Sequence, residues 1–168
     1  MTTGTQIRPL RPSDYEIVIA IIDEWWGGRH MADMLPRLFF EHFSDTSFAV
    51  EQDGSLVGFL VGFLSQSRPA EAYIHFVGVH PEHRGQRLGQ RMYECFFQVA
   101  RIHGRTIVRA VTSPVNTGSI AFHARMGFLV ESGQAARDGV QIAPGYDGAG
   151  QDRVRFVKYL PESRAIDQ

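Results

Sequence analysis

The sequence predicts a mixed α/β fold, with a central β-sheet of about six to seven strands and helices on both faces. Short apolar segments rich in Val, Ile and Phe alternate along the chain with segments of helical spacing. The run Leu56–Leu64 is apolar at every position, which suits a strand covered on both sides. The 168 residues, 43% hydrophobic and 21% charged, fit one domain over residues 1–168.

In order, Ile7–Leu10 reads as a first short strand. Ser13-Asp14-Tyr15-Glu16 fits a capping box, with Ser13 capping a helix and Glu16 reaching back. That helix runs to about Trp26, where Gly27-Gly28 stops it. A second helix is expected over Met31–Phe43, disturbed or begun at Pro36. Ser47–Glu51 and Leu56–Ser65 form a hairpin about Gln52-Asp53-Gly54-Ser55. Ala72–Val79 is a strand ended by His80-Pro81. From Leu88 to His103 the stripe Leu88, Met92, Cys95, Phe96 and Val99 is helical, which makes Cys95 a core residue. Arg105–Val111 returns to strand, Asn116–Met126 to helix and Phe128–Val130 to strand, and Val154–Leu160 is the last strand. Between them, residues 131–152 hold five glycines and read as loop.

Composition narrows the function. A formal net charge of -1, with no basic aromatic face, argues against a nucleic-acid binder. A single cysteine, Cys95, gives no disulfide framework and no cysteine-based metal site, and no metal is expected. The start, Met1–Arg11, lacks the apolar core of a secretory signal, and a nine-residue apolar run cannot span a bilayer. The expectation is a cytoplasmic protein without a membrane partner.

Arg84-Gly85-Gln86-Arg87-Leu88-Gly89 lies between a strand and a helix. A helix N-terminus presents unpaired N–H groups and partial positive charge, so it can hold a phosphate. Glycine admits close approach, and Arg84 and Arg87 add charge. No Gly-Lys-Ser/Thr follows, so this is not a Walker loop, and the dinucleotide spacing Gly-x-Gly-x-x-Gly is missing.

Val77-Gly78-Val79-His80-Pro81-Glu82-His83-Arg84-Gly85-Gln86-Arg87-Leu88-Gly89 resembles the coenzyme-binding signature of the GNAT acetyltransferases. Asn116-Thr117-Gly118-Ser119-Ile120-Ala121-Phe122-His123-Ala124-Arg125-Met126-Gly127-Phe128 resembles their second signature. The resemblance implies a GNAT fold with a coenzyme-binding core over about 72–128, and acetyl-CoA as co-substrate. It places backbone groups of Val77 and Val79 on the pantetheine arm and the N–H groups of Arg84, Gly85, Gln86, Arg87, Leu88 and Gly89 on the pyrophosphate. Asn116 and Ser119 fall on the coenzyme arm as well. Arg87 stands at the usual middle glycine. His123 stands where the family has a Tyr that protonates the departing thiolate. Imidazole, with an ordinary value of about 6.5, leaves acid, donor and base roles open.

The resemblance implies transfer of an acetyl group to a primary amine, chiefly of a small metabolite. Acetylation of a protein N-terminus or Lys, and a non-catalytic acyl-CoA-binding module, are the alternatives. An alkylammonium must lose a proton before it attacks, and the base candidates are Glu71 and His75, at alternating positions with Tyr73. Trp25 and Trp26, flanked by acids, fall where the family builds its acceptor pocket, so with Tyr73 they are the candidate amine-binding residues. A homodimer is compatible with all of this.

Overall fold

Glycine spacing in the central strand sets the layering. The computed structural model describes residues 4–162. In β3 (Ser55–Leu64), Gly58 and Gly62 fall on one face and Phe59 and Val61 on the other. A Cβ on Gly62 would come within 2.4 Å of the Phe96 ring, so the missing side chain lets α3 (Leu88–Ile102) lie against the strand. Phe59 and Val61 instead join the core formed with Val18, Ile22 and Trp25 of α1 (Asp14–Trp25). These α1 positions recur every three to four residues, as one buried helical face requires.

The chain forms two compact units interleaved in sequence. One comprises residues up to Leu64 and Ile74–Val99; the other comprises Ser65–Tyr73 and the chain from Ala100. In the first, β1 (Gln6–Pro9), β2 (Phe48–Gln52), β3 and the end of β4 (Glu71–Val79) are neighbours in that order. The expected β2–β3 hairpin turns on Asp53 and Gly54 alone, at φ +52° and +78°, as a two-residue turn with both residues left-handed requires. α1 and α3 cover opposite faces of this sheet.

In the second unit, β4 pairs parallel with β5 (Ile107–Thr112), from Glu71↔Ile107 to Tyr73↔Arg109. β9 (Val154–Tyr159) pairs antiparallel with β5 and with β6 (Leu129–Val130). Because β4 belongs to both units, seven strands hydrogen-bond in succession, β1-β2-β3-β4-β5-β9-β6. The mixed sheet matches the expected fold class.

Three expectations are corrected. Ser13 makes no side-chain cap. The Asp14 carboxylate instead accepts from the Arg11 N–H at 2.7 Å and from two nitrogens of Arg8, each at 2.8 Å. Burial alone would raise the Asp14 pKa, but these donors hold the carboxyl below its ordinary value. Glu16 is drawn to Arg37 rather than back to the helix start. The second helix is broken about Pro36 into a 3-10 turn, Ala32–Met34, and a short α2, Leu38–His42. The stretch read as loop over 131–152 contains a hairpin of β7 (Ala135–Arg137) and β8 (Val140–Ile142). Its remainder is closed by Arg153, which donates to Asp147 Oδ2 at 2.7 Å and Gln151 Oε1 at 3.1 Å.

Candidate coenzyme and acceptor sites

β4 is the edge strand of the first unit, and its pairing with β5 is confined to Glu71–Tyr73. Val77 and Val79 lie beyond that pairing and are half-buried. The strand stops where the His80 N–H donates to Val57 O at 2.9 Å. A 3-10 turn, Pro81–His83, follows, then the exposed loop Arg84–Arg87. Gly85 and Arg87 are left-handed, at φ +78° and +60°. Leu88 is buried and opens α3, and Arg91 N–H donating to Arg87 O at 3.0 Å closes the first helical turn. The first N–H groups of a helix have no acceptor within it, and left-handed residues beside them form anion-binding concavities. A Cβ on Gly85 would meet no protein atom within 4 Å, so the loop is open to a ligand there.

The two arginines divide. Arg87 is exposed. Arg84, expected to add charge for a phosphate, turns its side chain back into the protein. Its Nη2 donates to Trp25 O at 2.7 Å and its Nε to Val79 O at 3.2 Å. Left-handed backbone costs a residue with a Cβ roughly 1–2 kcal/mol, partly offset in glycine by unfolded-state freedom. Arg87→Gly should therefore raise stability by roughly 0.5–1 kcal/mol in denaturant unfolding. A lower midpoint would mean that the Arg87 side chain makes a stabilising contact.

The tryptophans proposed for amine binding pack into the first unit. Trp25 is 4% exposed, its ring 6.0 Å from Phe59 and 5.4 Å from His80. Trp26 is half-buried on Phe76, 5.1 Å between centroids, and lies where a Gly78 Cβ would be. Both positions face inward because Trp25 is the last helical residue and Trp26 already leaves the helix, just before the Gly27-Gly28 turn. His75 stacks on Phe39 at 4.3 Å. Its Nε2 lies 2.6 Å from Met34 O, and a carbonyl only accepts, so Nε2 carries the proton and Nδ1 is the basic nitrogen.

In the second unit, Asn116 Oδ1 accepts from the Ser119 N–H at 3.1 Å and caps α4 (Thr117–Arg125). His123 is 3% exposed, stacked on Phe156 at 4.2 Å and edge-on to Phe128. Its Nδ1–H donates to Ser119 O at 2.8 Å, with Ser119 Oγ 3.3 Å away. Burial pushes the imidazole down to about 4, beyond what the Ser119 carbonyl restores. The ring is neutral near pH 7, so the imidazolium-acid role left open for it is not available there.

Glu71, a base candidate, sits between two arginines. Arg109 Nε lies 2.9 Å from Glu71 Oε2, poorly aligned for a hydrogen bond, and Arg68 is 3.6 Å away. Arg109 also pairs with Glu131. The Tyr73 phenol is pushed above its ordinary value by burial, then by Tyr146 and Asp147. It stays protonated and offers a donor. Arg109, Glu131 and Arg153 carried no signal in the sequence: they reach Glu71 and Asp147 only through strand pairing and loop closure. Among the described residues, no three His, Cys, Asp or Glu side chains group to hold a metal ion.

Comparison with known proteins bears on the family and the fold. L-2,4-diaminobutyric acid acetyltransferase of Nocardia farcinica (strain IFM 10152) is 32% identical over 87 residues, 52% of this chain and 45% of that protein. The enzyme of the same name from Virgibacillus pantothenticus is 34% identical over 82 residues, 49% of this chain and 52% of that protein. The matched stretch thus spans about half the length of each relative. A diaminobutyrate acetyltransferase from Paenibacillus lautus, solved with L-2,4-diaminobutyric acid and coenzyme A, superposes with a TM-score of 0.71. It is 22% identical, covering 98% of this chain and 99% of that one, and it shares the fold. The family model described as Acetyltransferase (GNAT) family matches residues 13–128, and the chain belongs to that family.

Proposed function

We propose that the chain is an acetyl-CoA-dependent N-acetyltransferase acting on a primary amine of a small metabolite, a diamino acid being the first acceptor to try. The open, left-handed loop at Gly85 and Arg87, running into the α3 N-terminus, carries this reading. The N–H groups of Arg84–Gly89 would hold the pyrophosphate, and the β4 edge at Val77 and Val79 would pair with the pantetheine arm. Acetyl-CoA supplies the activated thioester.

The amine must first lose its proton, since an alkylammonium has a pKa of about 10. Of the two base candidates, His75 fits better, because Glu71 is already committed to Arg109. The amine nitrogen then forms its bond to the thioester carbon, the C–S bond breaks, and the second proton leaving the nitrogen passes through water to the departing thiolate. With a thiol pKa of roughly 8.5, the thiolate is a competent leaving group without a side-chain acid. A cytoplasmic site belongs to the same reading. Among the described residues, no helix is long and apolar enough to cross a membrane.

The test is acceptor-dependent release of free coenzyme thiol, run with L-2,4-diaminobutyrate and a panel of small amines. Release with one of them, lost in His75→Gln, is the expected result. A chain that binds no acetyl-CoA by calorimetry and releases no thiol with any amine would refute the reading.

A further inference from the structure

We propose that Arg84 is a positioning residue that ties the coenzyme loop to the C-terminal turn of α1, so that filling the loop is felt at Trp25 and Trp26. The inference rests on the reading of Arg84–Gly89 as the coenzyme loop. It assigns the Arg84 backbone and side chain to different tasks.

The guanidinium joins two backbone carbonyls of separate elements, Trp25 O at 2.7 Å and Val79 O at 3.2 Å. Its planar fork fixes the angle between those bonds, which a Lys ammonium cannot do. The C-terminal end of a helix carries partial negative charge, and the last turn of α1 bears Asp23 and Glu24 with no basic residue. Arg84 supplies the cation from outside the helix. Packing reinforces the tie: the His80 ring sits edge-on to Trp25, and Trp26 closes over Gly78. The turn therefore cannot shift against the start of the loop without breaking charge-assisted bonds and ring contacts. A ligand that draws in the loop N–H groups pulls, through Arg84, on the Trp25 carbonyl at the end of α1.

Trp25 and Trp26 are the two tryptophans of the chain, so emission excited selectively from tryptophan reports on this turn alone. The full chain is titrated with coenzyme A, with binding followed by calorimetry and emission read at saturation. In the wild type, bound coenzyme A should change the tryptophan emission. In Arg84→Met, coenzyme A should still give a binding heat, but with the emission change reduced at least about threefold, and Arg84→Lys should restore part of it. If circular dichroism shows Arg84→Met unfolded, Arg84→Gln, which can satisfy one carbonyl, takes its place with the same expectation. An unreduced change in the folded variant overturns the tie, as does wild-type emission that ignores calorimetrically bound coenzyme A. A wild type without any binding heat sinks the coenzyme reading itself, and the tie with it.

Discussion

Gly85→Val and Gly89→Val chains should stay folded and lose acetyl-CoA affinity by about 100-fold or more. A pyrophosphate held by backbone N–H groups needs the backbone within hydrogen-bond distance, and a β-branched side chain stands in that approach. At Gly85 the protein offers no obstacle to a Cβ, so steric loss there is loss against the ligand. The same residue is left-handed, and valine there costs roughly 1–2 kcal/mol of backbone strain. Gly85→Asn separates the causes, because Asn tolerates left-handed backbone. If crowding dominates, Asn and Val weaken binding alike; if conformation dominates, Asn is close to wild type. Calorimetry beside thermal unfolding checks both. Wild-type affinity in a folded Gly89→Val protein would remove the pyrophosphate from this loop.

His123→Ala should cost roughly 2–4 kcal/mol of stability, while His123→Phe keeps the stack on Phe156 and loses much less. The two chains should also differ in acid. The unfolded imidazole has an ordinary value near 6.5 and the buried one about 4, so between those pH values the unfolded chain binds more protons. The stability this group contributes is whole above pH 6.5 and is lost as pH falls towards 4, by up to about 3 kcal/mol. Denaturant unfolding from pH 7 to 4 should show that slope in the wild type and a flatter one in His123→Phe. Single-turnover acetyl transfer by His123→Phe should stay within about twofold of wild type. A fall of roughly 10²–10⁴ would restore the catalytic role.

Local chemistry made much of this fold legible. β3 announced itself through an unbroken apolar run, and the turn at Asp53-Gly54 through the residue pair that left-handed hairpins need. The same pair, Asp138-Gly139 at φ +50° and +78°, builds the β7–β8 hairpin. That hairpin leaves no mark in the sequence pattern, because strands of three mostly exposed residues carry no alternating apolar pattern. The capping box failed because tertiary charge outranked local capping: Arg8, on β1, took Asp14 into a buried pair. The coenzyme loop was readable as a spacing. The fate of its Arg84 side chain was not, because Trp25 O is 59 residues away. His123 was read from its place in a signature, while its neighbour Phe156 lies far along the chain, so its burial was invisible.

The division of β4 between the two units has a consequence for synthesis. Neither unit is one continuous stretch of chain, so no single cut releases either of them. As the chain emerges from the ribosome, the first unit has all its residues once Val99 is out. Glu71–Tyr73, made earlier, must wait for β5, and β5 must wait for β9, which ends roughly 60 residues after Val99. At about 5–20 residues per second, β9 is complete roughly 3–12 s after Val99, and until then the edge of β5 that β9 covers is unpaired. The second unit can only be finished last.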